Sequence, residues 1–370
     1  MVLDLDKLAT VPRILMEAAL KPIAGTRIQP TGFPDLGPAL YDAPDANGGT
    51  VPTLLVESAQ SMANRLEAVC WDEGNDDIVP DLKGLPFVAV KLAGIGEGSD
   101  TTNSLLEFHR LNSPYIMNGV TEDGTAFTDI LKPELGLVAV PAAARRAGGR
   151  RVASAGPATD DVSEGGDKER DDVAGVVNLR KLAAVCFKYD PNSLVHGVFL
   201  EKIAGRLRHP RALSAFIEAS GVSRADSGGV KFDRALPKPK VAGVDAKGGY
   251  GNVPFHRTEF TARSITAFFS LDLAQIRGYG LGDDACQLLV ALSLWKVRRF
   301  LDSNMRLRTA CELELVAPVV NCDYKGADGK DQCFPLPLSH ELSGQLAGLL
   351  TKCRPQFADP AVTKLIWNKP

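Results

Sequence analysis

The sequence predicts an α+β fold of the ferredoxin-like type with long insertions, and three observations carry that prediction. Alternating apolar residues mark strands near both ends of the chain, at Ile14 to Leu20, at Ile265 to Leu273 and at Met305 to Leu315. Segments with an apolar stripe of helical period lie beside them, from Leu55 to Val69 and from Asp284 to Leu301. Strand, helix and strand at each end read as the two βαβ halves of one sheet, and the long aperiodic stretches between them read as insertions. With 370 residues and 45% hydrophobic content there is material for a sizeable core.

In chain order, Ile14, Met16, Ala18 and Leu20 alternate with Arg13, Glu17 and Lys21 as a half-buried strand. It runs into Pro22 to Gly37, too rich in Gly and Pro for helix or sheet interior, which predicts an ordered loop or exposed ribbon. From Thr53 to Trp71 a helix is expected, with Leu55, Ala59, Met62, Leu66 and Val69 on one face and Glu57, Ser61, Asn64 and Arg65 as a polar stripe on the other. Leu85 to Leu92 reads as a second strand, followed by a Gly-rich loop and a helix ending near Asn112, before Pro114. Gly94, Gly96 and Gly98 invite the alternative of a nucleotide-binding enzyme, but G-x-G-x-G lacks the G-x-G-x-x-G spacing and no Lys-Ser/Thr pair follows.

Pro141 to Val173 opens with Arg145, Arg146, Arg150 and Arg151 and passes into an acidic Gly/Ser run, with too little apolar surface to offset ordering; a mobile insert is expected at 142–173. Leu182 to Lys188 and Ser193 to Leu200 read as extended segments joined by a turn at Asp190-Pro191-Asn192. Gly205 to Gly221 reads as a helix with Pro210 near its first turn, gathering Arg206, Arg208 and Arg211 at its N-terminus, where cations oppose the dipole and favour an anionic partner. From Val222 to Phe260 core-forming periodicity is almost absent, yet basic residues and the aromatics Phe232, Tyr250 and Phe255 interleave, the ingredients of a single-strand clamp. Asp284 to Gln287 resembles a capping box at the head of the helix that ends near Leu301.

Charge supports a nucleic-acid partner once it is divided along the chain. The net charge is −3, but Lys202 to Arg263 holds twelve Lys and Arg against five Asp and Glu, a local +7 on a body that otherwise carries −10. No constellation for catalysis emerges, because the five histidines stand singly. Cys322, Cys333, His340 and Cys353 are formally enough for zinc, but the gap between the first two fits no compact knuckle, so no metal and no cofactor is expected. Seven scattered cysteines, no apolar run of spanning length and an N-terminus without a basic start predict a soluble, reduced, cytoplasmic protein without a membrane partner.

Four stretches carry a resemblance: Gly25 to Gly37 (GTRIQPTGFPDLG), Leu55 to Glu67 (LVESAQSMANRLE), Tyr189 to Glu201 (YDPNSLVHGVFLE) and Gly251 to Ala262 (GNVPFHRTEFTA). They resemble the CRISPR RNA-binding backbone subunit of type I-G (formerly I-U) Cascade surveillance complexes, of the RAMP superfamily. The resemblance implies one RRM-like domain over 1–370, with palm elements at about 8–136, 176–220 and 262–370 and a thumb at 222–261. It also implies a non-enzymatic subunit that oligomerises along the guide. Its partners would be the guide RNA, the paired target DNA strand, further copies of itself, the large and guide-end-binding subunits and, indirectly, a helicase-nuclease. The residues offered to RNA are then Arg27, Gln29 and Thr31 on the loop, and Ser61, Asn64 and Arg65 on the helix. Arg206, Arg208 and Arg211 follow, and Lys231, Arg234, Asn252, Phe255, His256 and Arg257 on the thumb.

Overall fold

The sheet grows outward from β1 (Arg13–Pro22), whose Ile14, Met16, Ala18 and Leu20 are buried while the residues between them are exposed. The structure, a computed structural model, describes residues 4–33, 36–45, 47–94, 100–139, 173–174, 178–200, 203, 207–238, 245–303 and 305–368. After β1 come β2 (Leu40–Pro44), β3 (Thr50–Glu57), α1 (Ala59–Ala68), β4 (Phe87–Ala93) and β5 (Asp100–Asn103). The middle of the chain holds α2 (Leu179–Tyr189), α3 (Asn192–His196), β6 (Val198–Leu200), β7 (Leu207–His209), β8 (Leu213–Ser220), β9 (Ser223–Lys231), β10 (Val253–Thr261) and β11 (Ser264–Asp272). The last third holds α4 (Asp283–Asp302), β12 (Met305–Arg308), β13 (Cys311–Leu315), β14 (Asn321–Lys325), β15 (Asp331–Pro335), α5 (Ser339–Cys353) and β16 (Val362–Asn368).

Helices and antiparallel strands are mixed, as an α+β fold requires. The main sheet has nine strands among the described residues, in the order β12-β13-β1-β11-β8-β3-β2, with β14 beside β1 and β15 beside β14. β1 pairs with β11 from Arg13↔Asp272 to Leu20↔Ile265, and β11 pairs with β8 from Leu271↔Leu213 to Ser264↔Ser220, both antiparallel. One face of this sheet is closed by α1 and α4, and α4 also packs on α5. α4 is buried nearly all round, Trp295, Leu288 and Leu292 completely, because it lies between sheet and helix. A second sheet, β5-β4-β16, sets β16 parallel to β4.

Several elements differ from the sequence expectation. The expected helix from Thr53 is a strand as far as Glu57; Leu54 and Val56 are buried on it, and Ser58 then caps α1 by accepting the Ser61 N–H. The helix expected after Gly94 is instead β5, antiparallel to β4, and residues 95–99, which hold Gly96 and Gly98, lie outside the described residues. Only a 3-10 turn, Arg110–Asn112, remains of that helix.

The extended pair expected at 182–200 is helical as far as His196. Asn178 caps α2, and Leu182, Ala183, Val185, Cys186 and Tyr189 are buried along it. The helix expected at 205–221 is absent. Leu213, Ala215, Ile217 and Ala219 are buried in strict alternation on β8, a central strand, so Arg208 and Arg211 do not meet at a helix N-terminus. Arg206 lies outside the described residues, as does the insert at 142–172. Val173 belongs to a two-residue strand that pairs with Val138–Ala139. The single strand expected at 305–315 is the hairpin of β12 and β13, turning at Ala310 with φ of 59°. α4 is headed by Gly282 without a side-chain cap, so Asp284 to Gln287 is no capping box; Asp283 and Asp284 instead place charge in its first turn.

Candidate nucleic-acid interface

The stretch from 222 to 261 is a two-stranded ribbon that leaves the sheet at its centre. β8 and β11 are neighbours up to Ser220↔Ser264, and their continuations β9 and β10 stay paired from Ser223↔Thr261 to Lys231↔Val253. At strand spacing this is a projection of roughly 27 Å. Its lack of core period has a physical cause: most of β9 is exposed, β10 is mostly half-buried with Pro254 and His256 exposed, and full burial on the two strands comes only at Glu259 and Phe260. Residues 239–244 lie outside the described residues.

Basic and aromatic side chains meet on this ribbon. The Phe255 ring receives the Arg257 guanidinium 5.2 Å and the Lys231 ammonium 5.9 Å from its centroid. Gly228 and Gly229 make room for this on the facing strand: a Cβ on Gly228 would lie 2.4 Å from the Phe255 carbonyl oxygen, and one on Gly229 would lie 3.2 Å from the ring. Near the tip Asp233 accepts the N–H groups of Ala235, Leu236 and Gly251, and these bonds hold its carboxyl below the usual range. Asn252 Oδ1 accepts the Asp233 N–H at 2.9 Å, so this residue orders the tip. His256 lies 3.5 Å from Asp226, which also pairs with Arg224 at 2.9 Å. Arg234, Phe232 and Tyr250 are exposed.

The loop after β1 is joined to the base of the ribbon. Arg27–Ile28 forms a short strand against Thr261 and Phe260, and Arg27 pairs with the buried Glu259 at 3.1 Å. Gln29 donates its N–H to the Ala310 carbonyl, and Thr31 donates its own to Val56. Arg308 binds the carbonyls of Gln29 and Val56 at 3.1 and 3.0 Å and pairs with Glu57, whose side chain is only 1% exposed. Arg65 approaches the same carboxylate at 3.3 Å and donates to the carbonyls of Arg306 and Leu307. The geometry therefore brings Arg27, Gln29, Thr31 and Arg65 to one place and uses Arg65 to tie α1 to β12. Asn64 is exposed and Ser61 half-buried.

Arg208 and Arg211 stand elsewhere, on a cavity of about 340 Å³ lined also by Gln60, Phe108, His109, Arg110, His196, Phe199 and His209. The Arg208 guanidinium lies 5.3 Å over the Phe199 ring, and Arg211 donates to Gln60 Oε1 at 2.8 Å and to the His196 carbonyl at 3.3 Å. Behind the cavity Arg110 grips Glu67 through two nitrogens in a buried pair. Burial raises the Glu67 carboxyl, and the neighbouring Arg110 opposes it. The sequence reading missed this cavity, because its residues come from four separated stretches and share no spacing.

The β14–β15 hairpin sets Cys333 opposite Asp323 and Cys322 opposite Phe334, so the two cysteines point to opposite faces, one exposed and one buried. Among the described residues no three His, Cys, Asp or Glu side chains gather as a metal site, and no helix is long and apolar enough to cross a membrane.

Fold and interface together define an α+β protein whose central antiparallel sheet extends a basic, aromatic ribbon beyond its core. The chain belongs to the family described as CRISPR-associated protein GSU0053, whose model matches residues 14–224, more than half of the sequence. No curated protein matches. A solved structure described as "CRISPR RNA-guided surveillance complex, pre-nicking" is similar at 14% identity and a TM-score of 0.39, over 84% of this chain and 75% of that one.

Proposed function

We propose that this chain is a non-catalytic, guide-RNA-binding subunit of a type I-G surveillance complex, several copies of which stack along one spacer. The observation that carries the reading is the ribbon of β9 and β10: an exposed projection with cations around an aromatic ring, on an otherwise acidic chain. The strand order β13-β1-β11-β8, with α1 and α4 in the two crossovers, supports reading the sheet as a ferredoxin-like, RRM-like palm and the ribbon as its thumb. In such an assembly the protein holds the guide by its backbone and base pairing reads the target, so a surface of general RNA affinity suffices. The copies would meet the large subunit and the guide-end-binding subunit along the same RNA, in the cytoplasm, and leave cutting to a helicase-nuclease. The test is to express the chain beside a guide-encoding array, purify it and sequence the bound RNA. Enrichment of spacer-length guide fragments is expected; RNA no different from the total cellular pool would overturn the reading.

A further inference from the structure

The cavity beside Arg208 holds two buried imidazole nitrogens without partners, His196 Nδ1 and His209 Nε2. His196 is 1% exposed, and the Lys296 ammonium, wholly buried, lies 3.0 Å from its Nε2 and also donates to Asn192 Oδ1. A protonated lysine can only donate, so Nε2 is the accepting nitrogen and the ring proton sits on Nδ1. Burial, then the charges of Lys296, Arg110 and Arg211, hold His196 well below the usual histidine range, so the ring is neutral. Its Nδ1–H is thus a donor buried beside the cavity with no acceptor, a condition native proteins avoid unless a ligand or water supplies one.

The remaining wall defines what that acceptor is. Among the described residues lining the cavity none is acidic. Arg208 is exposed, and Arg211 lines the same cavity, held by Gln60 and the His196 carbonyl. Arg110 faces the cavity too, with its charge matched by Glu67 behind it. Gln60 places the first turn of α1, the positive end of a ten-residue helix, at the same wall. Phe108, 58% exposed, and Phe199 supply flat apolar surface next to these donors. The size falls within the roughly 300–1,000 Å³ usual for small-molecule sites.

We propose that this cavity is a phosphate-binding site that seats a single nucleotide, its phosphate against His196, Arg208 and Arg211 and its base against Phe108 and Phe199. The nucleotide comes either from a bound RNA strand or free from solution; only the first source rests on the RNA-binding reading.

Long-range 1H–15N correlation spectra of the full chain observe the imidazoles directly. They are recorded with AMP, inorganic phosphate, adenosine and a short single-stranded RNA, while anisotropy follows the RNA separately. AMP and phosphate are expected to move the His196 and His209 signals, and adenosine to leave them in place. Arg208→Ala should weaken AMP by about tenfold, the worth of one charge-assisted hydrogen bond. Phe108→Ala should weaken AMP and spare phosphate; both side chains are exposed, so the fold is not at stake. Movement with RNA as well assigns the nucleotide to the strand, and movement with AMP alone assigns it to solution. Imidazoles unmoved by AMP, phosphate and RNA overturn the site, and RNA binding then still stands or falls by anisotropy. Signals that move with AMP in a chain that binds no RNA keep the site and overturn the RNA reading.

Discussion

Phe255 and Arg257 touch each other yet should fail differently. Each cation that neutralises a phosphate contributes about 0.7 to the salt slope of single-strand binding, whereas stacking on an aromatic ring contributes about 1–3 kcal/mol with little salt dependence. Arg257→Ala is therefore expected to flatten the plot of log affinity against log salt, and Phe255→Ala to lower it at unchanged slope. Equal slopes for the two variants would detach Arg257 from phosphate. At the ribbon base the roles are structural. Glu57→Ala leaves Arg308 and Arg65 without their shared carboxylate and is expected to cost roughly 3–5 kcal/mol in urea unfolding. Asn64→Ala, on the exposed side of α1, should leave stability unchanged, so it tests RNA contact alone. Asp190 supplies a pH signature. Burial raises its carboxyl from 3.8 to about 6, so the folded state holds the proton more tightly than the unfolded one. Its contribution is full below about pH 4 and is lost as pH rises to about 6. The stability gap between Asp190→Asn and wild type should widen over that window and stay flat above it; a gap independent of pH would show that Asp190 is ionised throughout. Of these residues, the ribbon's cations and ring were legible from composition. The internal duty of Arg65 was not, because its partners Arg306 and Leu307 lie some 240 positions away in the chain.

At the scale of elements, legibility depended on which period a segment carried unambiguously. β1 and β11 alternate cleanly and were read correctly. β8 was not: Leu213, Phe216 and Ile217 satisfy a helical spacing, while the strand's buried face includes Ala215 and Ala219, residues too small to register as an apolar signal. The opposite error fell on α2, where Asn178 was not recognised as its cap. α1 was read six residues early because Leu55 extends its apolar stripe backward into β3. The ribbon's lack of core period was legible, but its hairpin was not, since exposed strands carry no burial pattern. The pairing of Val138–Ala139 with Val173–Ala174 brings the two ends of the intervening segment together. Replacing residues 142–172 by a short Gly/Ser linker is therefore expected to shift Tm little. A drop of many degrees would mean that this segment packs on the body.

Across the whole molecule, the charge asymmetry and the position of the ribbon carry the account. The cations of 202–263 stand on a chain that is acidic elsewhere, and the ribbon springs from β8 and β11 at the centre of the sheet, where its base is braced by Arg27 and Glu259. β9 is mostly exposed and β10 mostly half-buried, and RNA together with a neighbouring copy is the partner proposed for this surface. The most direct measurement is assembly on single-stranded RNA by a variant in which residues 226–257 are replaced by a short turn. The design keeps Ser223, Glu259 and Phe260, and so the brace to Arg27–Ile28. Electron microscopy and sedimentation of wild type on RNA of several spacer lengths should show ordered arrays. The trimmed chain should remain folded by circular dichroism, bind RNA weakly and form none. Arrays from the trimmed chain indistinguishable from wild type would contradict the account.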